Sequence, residues 1–144
     1  MRFDPEVWGP HYWFFLHTLA HSYPAYPNEV TKRKYYDFIQ NLPLFIPNEV
    51  VGNKFSRLLD KFPVSPYLDK KESFIRWVHF VHNKVNASLG KEEYSYEEGI
   101  DAYFRYYSPE AKPFYHHWFD KQNMMYWNAA LILAFIMIAY AMGE

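Results

Sequence analysis

Cysteine is absent from the 144 residues, which excludes disulfides, thiolate metal sites and cysteine nucleophiles within this chain. Glycine is scarce, at 5 residues, and that disfavours a turn-rich all-β sandwich. Neither sign of charge is in excess. With 15 Lys and Arg against 16 Asp and Glu, bulk charge gives no reason to expect a nucleic-acid partner. No signal peptide is expected, because Met1–Pro5 runs straight into a charged, Pro-containing segment. There is also no GxSxG elbow and no Gly-rich phosphate loop. What is abundant is aromatic: 14 Tyr, 13 Phe and 5 Trp in a half-apolar chain the size of one domain, the opposite of a disordered composition.

Charge is segregated along the chain. Residues 32–91 hold eleven Lys/Arg and five Asp/Glu, a local net of +6, whereas residues 92–120 hold two basic and seven acidic residues, a net of −5. The basic stretch reads either as ordinary solvated helix faces or as an attractor for an anionic ligand. The end of the chain carries the longest apolar run. Met124–Met142 has nineteen residues without a charge, broken only by the amide of Asn128. As a helix it would span roughly 28 Å, near the ~30 Å hydrocarbon core, with Tyr126 and Trp127 at its start as interfacial rings. A wholly buried core helix is the competing reading. The expectation is a single C-terminal transmembrane anchor over 124–142.

The remainder reads all-α. Gly9-Pro10 opens a first helix with Trp13, Leu16, His17, Ala20 and Tyr23 on one face, ended by Pro24 and Pro27. Asn28 caps a second, carrying Tyr35, Phe38, Ile39 and Leu42 to Pro43. Pro47 opens a third, with Val51, Phe55, Leu58, Leu59 and Phe62. Asp69 and Glu72 form a capping box for the fourth and longest, whose inner stripe is Phe74, Trp77, Val78, Val81, Val85 and Leu89 and whose stop is Gly90. Ser95 and Glu98 cap a fifth, ending near Tyr107. The predicted organisation is a four-helix bundle plus a short fifth helix over 1–107, a Pro- and aromatic-rich linker over 108–123, and the anchor.

Two histidine pairs, His17/His21 and His79/His82, have helical spacing that lets two imidazoles meet a metal. No carboxylate accompanies them in an HExxH register, so no metal site is expected. His116-His117 lies beside Trp118 in the linker and reads as interfacial. His82, Asn83 and Asn86 form a polar cluster next to the apolar stripe, and polar groups there need partners. They serve either an internal hydrogen-bond network or a large planar polar ligand.

The stretches WGPHYWFFLHTLAHSYP and WVHFVHNKVNASLGK together resemble the Erv/ALR-type flavin-linked sulfhydryl oxidases, especially those of large DNA viruses. The resemblance runs from about Trp8 to Tyr96. It implies a helical bundle holding FAD, with Trp13, His17, Tyr23, Trp77, His82, Asn83, Asn86 and Lys91 lining the cofactor site. Rings can stack on a flavin or adenine, imidazoles and amides can bond polar edges, and Lys91 can face a pyrophosphate.

The departure from that family is in its sulfur. The redox CxxC is matched by Asn48 and Val51, and the structural disulfide by His79 and Tyr96. Neither Asn48 nor Val51 can exchange electrons as a dithiol does. Loss of a disulfide closing a loop of this size removes roughly 3 kcal/mol in the chain-entropy model. The aromatic run Tyr94, Tyr96, Tyr103, Phe104, Tyr106 and Tyr107 serves either to seal the bundle or as an interface. The leading expectation is therefore a non-enzymatic, membrane-anchored structural protein, such as a virion component or minor capsid protein, with protein partners or a second copy. The alternatives are an FAD-binding flavoprotein with altered chemistry and a regulator of a cysteine-bearing paralogue.

Overall fold

The computed structural model describes residues 3–108 and, beyond them, residues 125, 126, 128, 129, 131–133, 137 and 140. Helix α1 spans Pro5–His21. It starts a turn earlier than Gly9-Pro10 suggests, because the Asp4 side chain accepts from the Glu6 N–H at 2.9 Å and Pro5 occupies the first helical position, where its missing N–H costs nothing. Pro10 lies inside the helix. Helix α2, Glu29–Asn41, is capped by Asn28 as expected, with Asn28 Oδ1 accepting from Thr31 N–H at 2.8 Å. A 3-10 turn, Leu42–Phe45, carries the chain past Pro43.

Helix α3, Glu49–Lys61, begins one residue after Asn48, whose side chain accepts from Val51 N–H at 3.1 Å. It packs close on the preceding turn: a Cβ at Gly52 would stand 2.6 Å from the Pro43 carbonyl oxygen. Helix α4, Lys71–Ser88, lacks the expected side-chain cap. Asp69 instead binds Lys32 Nζ at 2.7 Å, tying the approach to α4 to α2. Its inner stripe is Phe74, Trp77, Val78 and Val81 as expected, but Leu89 is exposed, because the chain turns away at Gly90, which sits at φ +69°. Helix α5, Tyr96–Phe104, carries the full capping box: Ser95 N–H donates to Glu98 Oε2 at 2.8 Å and Glu98 N–H to Ser95 Oγ at 3.2 Å. A 3-10 turn, Arg105–Tyr107, follows.

The chain divides into two compact units, Met1–Tyr103 and Phe104–Glu144. In the first, α1 and α4 run antiparallel. Glu6 at the start of α1 meets Lys91 just past α4, and Tyr23 just past α1 meets Phe74 near the start of α4. Tyr23, Tyr35 and Phe74 pack edge to face with ring centroids 4.5–5.8 Å apart, the aromatic centre of a core that includes Ile39, Leu59, Val64 and Val81. Of the aromatic run, Tyr103 is buried.

The expected membrane anchor over 124–142 is corrected. Much of that run lies outside the described residues, as does the linker from 109 with its paired histidines. Among the described residues no helix is long and apolar enough to cross a membrane. Met125, Tyr126, Asn128, Ala129, Leu131, Ile132, Leu133, Met137 and Tyr140 are helical, yet a span needs about 20 consecutive apolar helical residues. Apolar length sets the demand for burial and leaves open what meets it.

Candidate functional site

Trp13 and His17 are one turn apart on α1 and face His82 on α4. The Trp13 indole lies flat on the His82 imidazole, centroids 4.0 Å apart and planes 10° from parallel. From α3, Phe55 meets Trp13 edge to face at 6.3 Å. His17 Nε2 and His82 Nδ1 are 3.1 Å apart, within hydrogen-bond distance. Burial, reinforced by nearby His21 and His79, pushes His17 down to about 4. Burial, with His17 and His79 adding, takes His82 down to about 3. Both rings are therefore neutral at neutral pH. A bond between two neutral imidazoles uses one N–H and one lone pair. The two outer nitrogens, His17 Nδ1 and His82 Nε2, are then left as one donor and one acceptor, whichever tautomers are adopted.

His17 Nδ1 is buried without a hydrogen-bond partner, and so is the Trp8 indole Nε1, also on α1. An unmatched buried polar atom costs roughly 1–3 kcal/mol. The contact of α1 with α4 thus carries stacked rings and an unmatched polar atom, His17 Nδ1, together, the chemistry that suits a large planar ligand with polar edges. Asn86, one turn beyond His82, is buried as well.

The remaining candidate residues are engaged elsewhere. Tyr23 is 1% exposed and its hydroxyl donates to the Leu68 carbonyl at 2.8 Å. Trp77 is buried with its indole N–H donating to the Phe62 carbonyl at 3.1 Å. Asn83 clasps the backbone of Tyr94, donating to its carbonyl at 2.7 Å and accepting from its N–H at 3.2 Å. Lys91 reaches Glu6 Oε1 at 3.1 Å. The four histidines part company: His17 meets His82, His21 stacks on Tyr103 at 4.7 Å, and His79 Nε2 lies 3.1 Å from the Tyr94 carbonyl. Among the described residues no group of three or more His, Asp or Glu is placed to hold a metal.

The positions that the resemblance assigns to sulfur are occupied by other chemistry. Asn48 and Val51 are joined by the cap bond of α3. His79 and Tyr96 meet edge to face, centroids 5.6 Å apart, and the Arg76 guanidinium sits 4.1 Å from the centre of the Tyr96 ring. Gly99 makes this contact possible, since a Cβ there would lie 2.5 Å from His79 Nδ1. Trp8, Glu6, Arg76 and Gly99 are the residues sequence reasoning did not single out. A glycine in a short helix was the one available signal, and it marks a close approach.

The Erv1/Alr family model matches residues 10–105. A probable FAD-linked sulfhydryl oxidase of Acanthamoeba polyphaga mimivirus is 32% identical over 117 residues, covering 81% of this chain and 81% of its own length. The mitochondrial FAD-linked sulfhydryl oxidase of Schizosaccharomyces pombe is 31% identical over 88 residues, 61% of this chain and 48% of its own. The crystal structure of the yeast Erv1 core superposes with a TM-score of 0.62 at 28% identity, covering 67% of this chain and 80% of that one. These likenesses overturn the expectation of a non-enzymatic structural protein of a membrane or virion, because the relatives carry the names of enzymes. The inference failed for a physical reason: missing cysteines remove a dithiol from this chain, whereas the side chains on α1 and α4 remain. The protein belongs to the Erv1/Alr family.

Proposed function

We propose that this chain is an FAD-binding oxidoreductase of its family, a flavoprotein whose chemistry does not pass through a dithiol of its own. The observation that carries the reading is the Trp13–His82–His17 cluster with its buried, unpartnered Nδ1 of His17. Relatives named as FAD-linked support the choice of cofactor. The residues fit the group. The Trp13–His82 stack leaves only the outer face of each ring for a ligand, His17 Nδ1 and His82 Nε2 offer one donor and one acceptor to a heterocycle edge, and Asn86 offers an amide beside them. Lys91 supplies a cation at the same end of α4. FAD bound there supplies a two-electron acceptor.

The chain's own part is to bind, orient and exclude water. Neutral imidazoles suit it, because a charged ring in this buried place would be costly and would lose the acceptor. With no cysteine in these residues, an electron donor comes from another molecule. The purified chain, supplied with FAD and desalted, is expected to keep the visible flavin spectrum. At saturating FAD its melting temperature should rise by on the order of 10 °C. A preparation that stays colourless and gains no stability from FAD overturns the reading.

A further inference from the structure

One ion pair couples the start of α1 to the end of α4. Lys91 Nζ lies 3.1 Å from Glu6 Oε1 and 3.3 Å from Glu6 Oε2, so the ammonium is shared between both carboxylate oxygens. Its position is set by backbone. Gly90, at φ +69°, folds the chain back, and Lys91 N–H donates to the Asn86 carbonyl at 2.9 Å. That turn satisfies a terminal carbonyl of α4 and leaves a cation at the negative end of the helix. Glu6 is in the first turn of α1, next to Asp4, whose side chain caps Glu6 through its backbone N–H. The carboxylate of Glu6 is therefore free of the capping role. Trp13 and His17 follow on the same helix toward His82.

We propose that Glu6 is a built-in counter-anion for Lys91, which the diphosphate of an adenine dinucleotide must displace when it binds, so that Glu6 sets the affinity for the diphosphate. The inference rests on the flavin-site reading and names a determinant of it. The arrangement has the parts such a competition needs. The ammonium is half exposed and the carboxylate more so, so the pair opens without unfolding a helix. Two carboxylate oxygens on one ammonium occupy the contact that two oxygens of a diphosphate would take. The arrangement also keeps Lys91 compensated when no anion is bound.

The test titrates the full chain with ADP, FAD and adenosine by calorimetry. Glu6→Gln is expected to tighten ADP and FAD binding about three- to fivefold at low salt, the scale of an exposed ion pair, and to leave adenosine unchanged. High ionic strength should shrink the gain. Lys91→Gln should weaken ADP and FAD, and on that background Glu6→Gln should change nothing. Glu6→Ala, which also removes the carboxylate, should reproduce the gain, and circular dichroism of every variant reports whether it is folded. A Glu6→Gln chain that binds ADP no tighter than the parent overturns the proposal, as does a gain that survives Lys91→Gln. If the parent takes up FAD with an affinity that none of these variants alters, the flavin site stands and only the role of Glu6 falls. If the parent takes up no FAD at all, both fall together.

Discussion

The imidazoles of His17 and His82 illustrate how much one residue's surroundings decide. As sequence they are two of seven histidines, marked by helical spacing and by their two motifs but not by any sign of their protonation. In the fold, burial takes them from 6.5 to about 4 and about 3. Below about pH 6.5 the unfolded chain takes up protons that the folded chain refuses. The stability they contribute is thus whole above pH 6.5, declines on acidification, and is lost as pH falls through about 4 and then about 3. His21, lowered by burial and Lys71, acts in the same direction. Between about pH 6.5 and 5 most carboxylates are still ionised, so a decline there reports the imidazoles. The urea midpoint should therefore fall between about pH 7 and 5.5, and His82→Gln should flatten the slope. A parent midpoint that does not move across that interval contradicts the account. The meeting of Trp13, His17 and His82 was legible from two motifs. So was the inward placing of Tyr23 and Trp77, but not the partners of their polar tips, the carbonyls of Leu68 and Phe62, 45 and 15 residues away.

Elements followed their local signals where those signals met no rival. Asn28 and the Ser95–Glu98 box cap as their spacing suggests. Asp69 does not, because Lys32, 37 residues distant, takes its carboxylate first. The α4–α5 junction goes furthest beyond local reasoning. Where the resemblance places a disulfide, His79 and Tyr96 make a ring contact backed by Arg76, and Asn83 anchors the Tyr94 backbone beside it. Gly99 is the hinge of that packing. Gly99→Ala should push the His79 ring off its partners and destabilise the fold by about 1–3 kcal/mol, the usual cost of overpacking. Much of that cost should disappear on a His79→Ala background. Equal denaturation midpoints for Gly99→Ala and the parent would remove the junction from the account of stability.

At the scale of the molecule, the chain keeps a family fold while lacking the family's sulfur. Asn48 and Val51 now serve the start of α3, and a helix N-terminus is a place that lowers thiol pKa values. FAD-loaded Asn48→Cys/Val51→Cys protein is therefore expected to consume oxygen with dithiothreitol faster than the parent. A double variant that binds flavin yet gains no thiol oxidation would show that more than the two sulfurs separates this chain from the oxidases named among its relatives.

The sequence by itself determined the all-helical class, most helix boundaries and the family, because these depend on period, caps and motifs spaced within a helix or two. It also settled that no dithiol lies within these residues. Only the tertiary structure decided which polar groups are spent and which are left over. Long-range partners consume Tyr23, Trp77 and Asn83 but leave His17 Nδ1 and Trp8 Nε1 unmatched. A donor or acceptor is satisfied by whatever the fold brings to it, and that neighbour is not written beside it in the chain.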